Sequence, residues 1–281
     1  MTIALRPRTL DEALRRLEED PALVPTAGCT DLMVRGPEAL HQMERVLDLL
    51  AVDELRGIRE VDGALEIGAT TSFSEIRRSA AVREAFPALA AAASLVGGWQ
   101  IQNRATLGGN MANASPAGDS LPVLLALDAI VVAAGAQGTR EIPYAEFHTG
   151  YRKTALRPGE IVASVRLPYL PPGSVQAFRK VGTREAQAIS KVVVATAGRI
   201  EDGRIADLRL AAGSVAAVPV RLRAAEDAAR GLSPAEAADR AGREAAREVT
   251  PIDDVRSTAD YRRFALERVV RRLVMNLASR S

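Results

Sequence analysis

A short glycine-containing segment near the N-terminus has residue types that can bind a phosphate through the backbone. Its candidate binding residues are Ala27, Gly28, Cys29, Thr30, Asp31 and Leu32. They follow a short apolar run and precede a stretch that can open a helix, whose first turn presents free N–H groups and favours an anion. Gly28 has no Cβ and lets a phosphate approach the chain closely. The alternative is an ordinary helix N-cap at Thr30.

A second glycine-containing segment has the composition of a ligand-binding loop. Residues 106–119 are rich in Gly, Asn, Ser, Pro and Asp, which predicts a long ordered loop. Consecutive glycines permit a nest of N–H groups that can cradle a diphosphate. Asp119 would accept hydrogen bonds from hydroxyl groups such as those of a ribityl chain, or instead cap the apolar run 121–127. The candidate binding residues here are Thr106, Leu107, Gly108, Gly109, Asn110, Ser115 and Asp119.

Other signatures of nucleotide and metal binding are missing from the sequence. It contains no GxG, no GxxxxGK[ST] and no GxSxG. The one cysteine, Cys29, excludes an intrachain disulfide, an all-cysteine iron–sulfur cluster and a cysteine-based zinc site. The two histidines, His41 and His148, form no HExxH, so we expect no metal site. Any nucleotide must therefore be held in another way, and the two glycine segments could hold it.

Composition and charge exclude further classes of protein. The 281 residues can bury a sizeable core in one large or two modest domains. Lysine and arginine number 37 and aspartate and glutamate 35, a balance too even to indicate a nucleic-acid-binding protein. The longest apolar stretch, residues 121–136, contains Pro122 and Asp128 and is too short to span a bilayer. We therefore expect no nucleic-acid or membrane partner and a cytoplasmic location.

Short strands and capped helices are predicted around both segments. Capping boxes are expected at Thr9 with Glu12 and at Ser72 with Glu75, and Asp62-Gly63 is typical of a hairpin turn. The predicted elements before residue 168 are helices over 9–20 and 85–96, strands over 23–27, 46–50 and 130–134, and a hairpin over 55–69.

The string Pro-Tyr-Leu-Pro-Pro-Gly at 168–173 predicts a domain boundary. Strands are expected after it, and the last two are joined by a turn at Asp202-Gly203. From about residue 219 the chain is expected to be helical. The predicted elements of this part are strands over 176–181, 192–200 and 204–212, and a helix over 261–277.

Four strings, in chain order, resemble the flavoprotein subunit of the molybdenum hydroxylases, a family that includes xanthine and carbon monoxide dehydrogenases. They are AGCTDL, TLGGNMANASPAGDSLPVLLALDA, LRPGEIVASVRLPY and FRKVGTREAQAISKV. The resemblance covers essentially the whole chain, and TLGGN…ASP…D is its most specific part. The string GYRKT at 150–154 favours the xanthine dehydrogenase branch.

This resemblance implies an α+β fold of the vanillyl-alcohol-oxidase (PCMH) type. Residues 1–170 would form the FAD-binding domain, with subdomains at about 1–53 and 54–170 that clasp the cofactor. Residues 174–281 would form a C-terminal flavoprotein domain of the carbon monoxide dehydrogenase type, with a small antiparallel sheet and helices.

The resemblance also implies roles for individual residues. Both glycine segments would hold the FAD pyrophosphate, and Asp119 would contact the flavin. Lys180 matches a lysine near the isoalloxazine ring, where its charge would favour anionic reduced flavin and raise the flavin potential. Ile161 and Val162 match an apolar segment along the ring or the adenine. Phe178 is either a stacking group or a core residue of its strand.

The sequence departs from the family pattern at three positions. Cys29 stands where the family usually has glycine, so its side chain crowds the pyrophosphate, makes the site redox-sensitive or is an inert buried thiol. Val96 replaces an aromatic residue that some xanthine dehydrogenases use near the adenine. Gln187 stands where related chains often carry aspartate.

The function implied by the resemblance is electron transfer within a larger enzyme. Electrons would come from a [2Fe–2S] small subunit, which draws them from a molybdopterin large subunit that oxidises the substrate. FAD in this chain would pass them to NAD⁺ or another acceptor. The Arg-rich helical C-terminal part is either a docking surface or a solvated face.

Two other functions remain open from the sequence. One is a stand-alone flavin oxidoreductase of the same fold, which needs an acid or base at the flavin edge. Neither His41 nor His148 is expected in the ring-facing segments. His148 is expected in a loop, and Tyr151 is the only nearby alternative for that role. The other is a scaffold of the same fold that binds no flavin.

Overall fold

Three short parallel strands form the first sheet. The structure is a computed structural model that describes residues 3–36 and 43–278, so His41 lies outside the described residues. The strands pair in the order β1-β3-β2, and the elements are β1 (Ile3–Leu5), α1 (Leu10–Glu19), β2 (Val24–Thr26), α2 (Thr30–Val34) and β3 (Arg45–Asp48). Because β2 ends at Thr26 and α2 begins at Thr30, the first glycine segment is a strand-to-helix connection, as predicted.

The capping box predicted at the start of α1 forms only in part. The Thr9 side chain accepts a hydrogen bond from the Glu12 N–H at 3.2 Å. The Glu12 carboxylate accepts its bond from the Arg8 N–H at 2.9 Å and not from Thr9. The helix therefore begins where the sequence predicts, with one of the two reciprocal bonds.

A five-stranded antiparallel sheet follows, in the order β4-β5-β10-β6-β7. The predicted hairpin is confirmed, with Asp62 and Gly63 at φ of 48° and 76° in its turn. A small separate hairpin, β8 with β9, places His148 in a strand and not in the predicted loop. The strands are β4 (Ile58–Val61), β5 (Ala64–Gly68), β6 (Ile130–Gly135), β7 (Gly138–Pro143), β8 (His148–Gly150), β9 (Lys153–Thr154) and β10 (Ile161–Pro168).

Short helices lie between β5 and β8. The capping box of Ser72 and Glu75 is present as predicted. The predicted loop over 106–119 is wrong in its first half, because Thr106 caps a helix there and Leu107 and Met111 are fully buried in the core. The helices are α3 (Phe73–Arg78), α4 (Ala80–Ala85), α5 (Pro87–Leu95), α6 (Trp99–Arg104), α7 (Leu107–Asn113), α8 (Leu121–Ala126) and α9 (Tyr144–Phe147).

The C-terminal part has a four-stranded antiparallel sheet in the order β11-β12-β13-β14 and three helices. The predicted strands and the turn at Asp202-Gly203 are confirmed. The elements are β11 (Val175–Val181), β12 (Val192–Glu201), β13 (Arg204–Gly213), β14 (Val220–Arg221), α10 (Arg223–Ala229), α11 (Pro234–Arg247) and α12 (Ala259–Met275). Over 3–36 and 43–278, no helix combines the length and apolar character needed to cross a bilayer.

The C-terminal sheet packs directly on the preceding part of the chain. Helix α8 lies against β12 and β13, and Ala195, Ala197 and Ala211 of those strands belong to the same buried cluster as α5, α7 and α8. A second cluster lies between the other face of this sheet and the C-terminal helices. The shared core fixes the C-terminal loops next to the glycine segments.

Candidate functional site

The first glycine segment packs against the chain just before the second segment. A Cβ added to Gly28 would lie 1.8 Å from the carbonyl oxygen of Arg104, so only glycine fits at this position. Arg104 ends α6, two residues before Thr106, so the start of the second segment lies beside the first. The close approach that Gly28 permits in this structure is to this backbone.

The first segment presents an uncapped helix start. Cys29, and not Thr30, is the N-cap of α2, and it makes no side-chain cap. Its thiol donates instead to the Ala27 carbonyl at 3.3 Å. The N–H groups of the first turn, from Thr30 to Leu32, have no acceptor within the helix and remain available to an anion.

Cys29 has a left-handed backbone conformation, with φ of 59°. L-residues other than Gly, Asn and Asp avoid this region because the Cβ approaches the backbone too closely. This geometry gives a physical reason why glycine is expected at the position. The chain therefore makes a left-handed turn at Cys29 although glycine, which adopts this conformation without strain, is absent from the position.

The N–H groups of the second segment already donate within the protein. They bond from Leu107 to Thr71 O, from Gly108 to Ala69 O, from Gly109 to Thr106 Oγ1 and from Asn110 to Thr106 O, at 3.1, 2.9, 3.2 and 3.0 Å. The predicted nest of free N–H groups is therefore wrong, because these residues form the first turn of α7. A Cβ on Gly108 would meet Ala69 at 2.5 Å, whereas a Cβ on Gly109 would meet only Thr106 Oγ1 at 2.8 Å.

One cleft of about 1340 Å³ extends along both segments. Residues 27–32, 105–106, 109–110 and 115–119 line it. So do residues 187–190 and the C-terminal positions Ser214, Thr250 and Arg256, and both Ser190 and Ser214 hydrogen-bond to the 115–119 stretch. The candidate residues that line it are Ala27, Gly28, Cys29, Thr30, Asp31, Leu32, Thr106, Gly109, Asn110, Ser115 and Asp119.

Asp119 is held at the cleft by two residues from beyond the predicted boundary. Lys180 Nζ donates to Asp119 Oδ2 at 2.6 Å, and Ser190 Oγ donates to Oδ1 at 2.5 Å. Lys180 also donates to the Leu95 carbonyl at 3.0 Å. Burial raises the pKa of Asp119, and the Lys180 ammonium and the Ser190 hydroxyl oppose that rise. The alternative role of Asp119 as a helix cap is wrong, because Ser120 is the N-cap of α8.

The Lys180 ammonium is not an isolated cation at the ring position expected for it. Its side chain is 6% exposed, it does not line the cleft, and Asp119 neutralises it. A neutral pair has a much weaker field at a neighbouring ring than a single charge. Lys180 therefore reaches the cleft only through its contact with Asp119, and an effect of its charge on a flavin potential stays a prediction.

Five other residues named from the sequence belong to the core in this structure or pack against it. Ile161 and Val162 lie in β10, paired with Ala134 and Ala133, and are 4% and 5% exposed. Their apolar side chains fill two hydrophobic clusters and do not line the cleft, so their expected place along the ring or adenine stays a prediction. Leu107 and Gly108 face Ala69 and the core, as does half-buried Phe178, in agreement with its core alternative.

The sequence reading missed the cleft residues of the C-terminal part. Apart from Arg262 of α12 they belong to connections, at 187–190, 214–217 and 250–256, and none forms a recognisable motif. Gln187 and Val96, noted as departures, both line the cleft. Ile189 and Ile252 are apolar residues that the fold leaves exposed at the cleft, but the sequence alone does not show this exposure.

His148 does not face the cleft. Burial lowers its pKa, its Nε2 lies 3.1 Å from the Met111 carbonyl oxygen, and its ring packs edge-on against Phe147 and Tyr144. Tyr151, in contrast, is 62% exposed and lines the cleft. The stand-alone flavin enzyme therefore gains no histidine acid or base from this position.

Two family models match the chain in succession. The FAD binding domain in molybdopterin dehydrogenase matches residues 2–170, and the CO dehydrogenase flavoprotein C-terminal domain matches residues 176–277. Among solved structures, carbon monoxide dehydrogenase from Hydrogenophaga pseudoflava, in a form lacking the Mo-pyranopterin moiety, superposes with a TM-score of 0.95. That match has 29% identity and covers 100% of this chain and 98% of the other.

Curated relatives are similar over most of their length. The xanthine dehydrogenase FAD-binding subunit of Escherichia coli O157:H7 is 35% identical over 227 residues, which are 80% of this chain and 78% of that protein. The nicotine 6-hydroxylase medium subunit of Paenarthrobacter nicotinovorans is 32% identical over 280 residues, covering 98% and 96%. The carbon monoxide dehydrogenase medium chain of Hydrogenophaga pseudoflava is 30% identical over 273 residues, covering 95% and 93%.

Proposed function

The chain belongs to the FAD-binding subunits of the molybdenum hydroxylase family, and from this premise we propose that it carries electrons from a [2Fe–2S] subunit through FAD to NAD⁺ or another acceptor. The observation that carries the proposal is the single cleft along which both glycine segments and the C-terminal loops meet. The one cysteine excludes an iron–sulfur cluster within the chain, so the cluster must be on a partner.

The residues at the cleft fit FAD. The uncapped first turn of α2 supplies N–H donors for a pyrophosphate. Gly109 has no side chain that would occupy the cleft beside it. Asp119 offers a buried carboxylate. Bound FAD supplies two-electron chemistry at its ring, and the protein supplies placement and electrostatics. Lys180 and Ser190 keep the Asp119 carboxylate in a fixed position.

We assign the pyrophosphate to Thr30, Asp31, Leu32, Gly109 and Asn110 of the original candidates, and the flavin to Asp119. The domain division at residues 168–174 is part of the same proposal, with the FAD-binding domain before it and the flavoprotein C-terminal domain after it. In this arrangement the molybdopterin subunit oxidises the substrate and this chain performs only electron transfer.

The proposal is tested by measuring electron flow in the intact complex, which is purified by capturing this chain. NADH added without oxygen should reduce FAD and then the [2Fe–2S] cluster, which is followed by its paramagnetic signal. A complex that carries Gly109→Ala should lose the NADH-driven cluster signal, while dithionite still reduces the cluster directly. Cluster reduction by NADH in a flavin-free complex would contradict the proposal. Turnover of a small substrate with oxygen by the isolated FAD-loaded chain would favour the stand-alone enzyme.

A further inference from the structure

Four large apolar side chains are exposed beside the first glycine segment, and we refer to them as the Trp99 patch. Met33 and Val34 of α2 are 64% and 82% exposed. Trp99 and Ile101 of α6 are 72% and 36% exposed. Met33, Val34 and Ile101 line an open cavity of about 500 Å³, which shares residues 28–30 with the cofactor cleft. Exposed apolar surface of this kind, surrounded by polar groups, marks a site of interaction.

Arginines without ion pairs surround the Trp99 patch. Arg35 follows Val34 in the chain, Arg104 lines the same cavity, and the Arg77 guanidinium lies 5.6 Å from the centroid of the Trp99 ring. None of these three arginines forms an ion pair with another described residue. The Arg77 Nε is buried and has no hydrogen-bond partner in that part of the chain. Tryptophan and arginine are the residues that dominate protein interfaces, and unpaired guanidinium groups favour a partner with an acidic face.

The Trp99 patch lies close to the part of the cleft that is assigned to the flavin. The connection directly before Trp99, residues 96–98, lines the cleft. At the start of this connection Lys180 donates to the Leu95 carbonyl, and the same ammonium group donates to Asp119. Because the rate of electron transfer falls steeply with distance, a protein that delivers electrons must dock near the flavin, and this surface meets that condition.

We propose that the Trp99 patch and the arginines around it form the docking surface for an acidic face of the [2Fe–2S] partner subunit. The inference rests on the proposed function, in which that subunit delivers electrons to the flavin. In the docked state the apolar side chains leave water and the guanidinium groups pair with carboxylates. A second copy of this chain fits less well, because a symmetric contact would bring Arg77 and Arg104 of both copies together.

The test uses the complex purified by capturing this chain. Iron per captured chain, measured over a series of dilutions, gives the Kd of the [2Fe–2S] subunit. Trp99→Ala should raise this Kd at least tenfold. Arg104→Gln should raise it about threefold at low salt and less at high salt, because salt screens the charges.

Phe264→Ala is the matched control. Phe264 is 56% exposed and has Arg268 5.2 Å from its ring centroid, but it lies on α12 and does not line the cavity. This variant should keep the wild-type Kd. Because Trp99 is exposed, Trp99→Ala should keep the wild-type Tm and FAD content, which separates a docking role from a structural one.

Three results would overturn the inference. One is an unchanged Kd in Trp99→Ala, or an equal rise in Phe264→Ala. Another is a lower Tm or FAD content of Trp99→Ala. The third is self-association of the isolated chain that Trp99→Ala abolishes, which would assign the surface to a second copy. A wild-type complex that holds the [2Fe–2S] subunit but passes no electrons between cluster and flavin would refute the proposed function and leave the docking surface standing.

Discussion

Lys180 Nζ and Asp119 Oδ2 are 2.6 Å apart, and the two residues lie in parts of the chain that match two different family models. Their side chains are 6% and 8% exposed. The pair therefore joins the cleft segment that ends at Asp119 to strand β11 by a buried ionic contact. Removing one member of such a pair leaves an uncompensated charge in a poorly solvated place.

We expect Lys180→Met and Asp119→Asn each to lower the free energy of unfolding by about 3 kcal/mol. The two variants should shift the flavin midpoint potential in opposite directions, because one leaves a carboxylate near the ring and the other an ammonium. Urea unfolding and redox titration measure the two effects.

The double variant should recover part of the stability. Potential shifts of the same sign would show that the charges do not act on the flavin.

The adjacent glycines of the second segment should respond differently to alanine. A Cβ on Gly108 meets the Ala69 backbone at 2.9 Å, so Gly108→Ala should lower the free energy of unfolding by about 2 kcal/mol. Gly109→Ala should keep the Tm within a few degrees, because alanine favours the helix by about 1 kcal/mol and offsets the contact with Thr106. Its methyl group should instead weaken FAD binding at least tenfold. FAD titration with thermal melts distinguishes the two. A Gly109→Ala protein of normal FAD affinity would remove this residue from the site.

Strain at Cys29 should be relieved by glycine. Its φ of 59° costs an L-residue about 1 kcal/mol, so Cys29→Gly should raise the free energy of unfolding by up to that amount. Cys29→Ala is the matched control, because it removes the thiol and keeps the strain. Chemical denaturation should rank glycine above cysteine and alanine. Equal stability of all three would mean that the surrounding chain relaxes the turn.

The pair of Glu160 and Arg140 should give a measurable pH dependence of stability. Arg140 donates to both carboxylate oxygens at 2.8 Å and, with the Arg157 N–H, lowers the pKa of Glu160 below its usual 4.5. The stabilisation is therefore complete above about pH 4.5 and is lost as pH falls through the lower folded value. Glu160→Gln should be less stable than wild type at neutral pH, and the difference should vanish in acid. Urea unfolding across pH, with exposed Glu146→Gln as control, checks this.

Local patterns predicted much of the fold because the relevant interactions are local. The hairpin turn at Asp62-Gly63, the capping box at Ser72 and the C-terminal strands depend on neighbours a few residues away, and all are confirmed. Helix α7 was missed because its glycines disfavour a helix, and burial of Leu107 and Met111 overrides that preference. This burial depends on tertiary packing, which the local sequence does not show.

The site was predictable on one side only. The first glycine segment and Asp119 have recognisable chemistry, and the structure places them along one cleft. The partners of Asp119, Lys180 and Ser190, reach it because the C-terminal sheet packs on α8. Contacts between residues that are far apart in the sequence produce no periodic pattern in that sequence. Ile161 and Val162 point to opposite faces of β10 and both are buried, because other elements cover both faces, which the sequence of the strand alone does not show.

The cleft takes one side from residues 24–35 and the other from residues as late as 250–262. During synthesis the ribosome must release nearly the whole chain before both sides exist together. Flavin insertion is then a late step of biogenesis, and chains that end prematurely before α12 are left without a complete cofactor pocket.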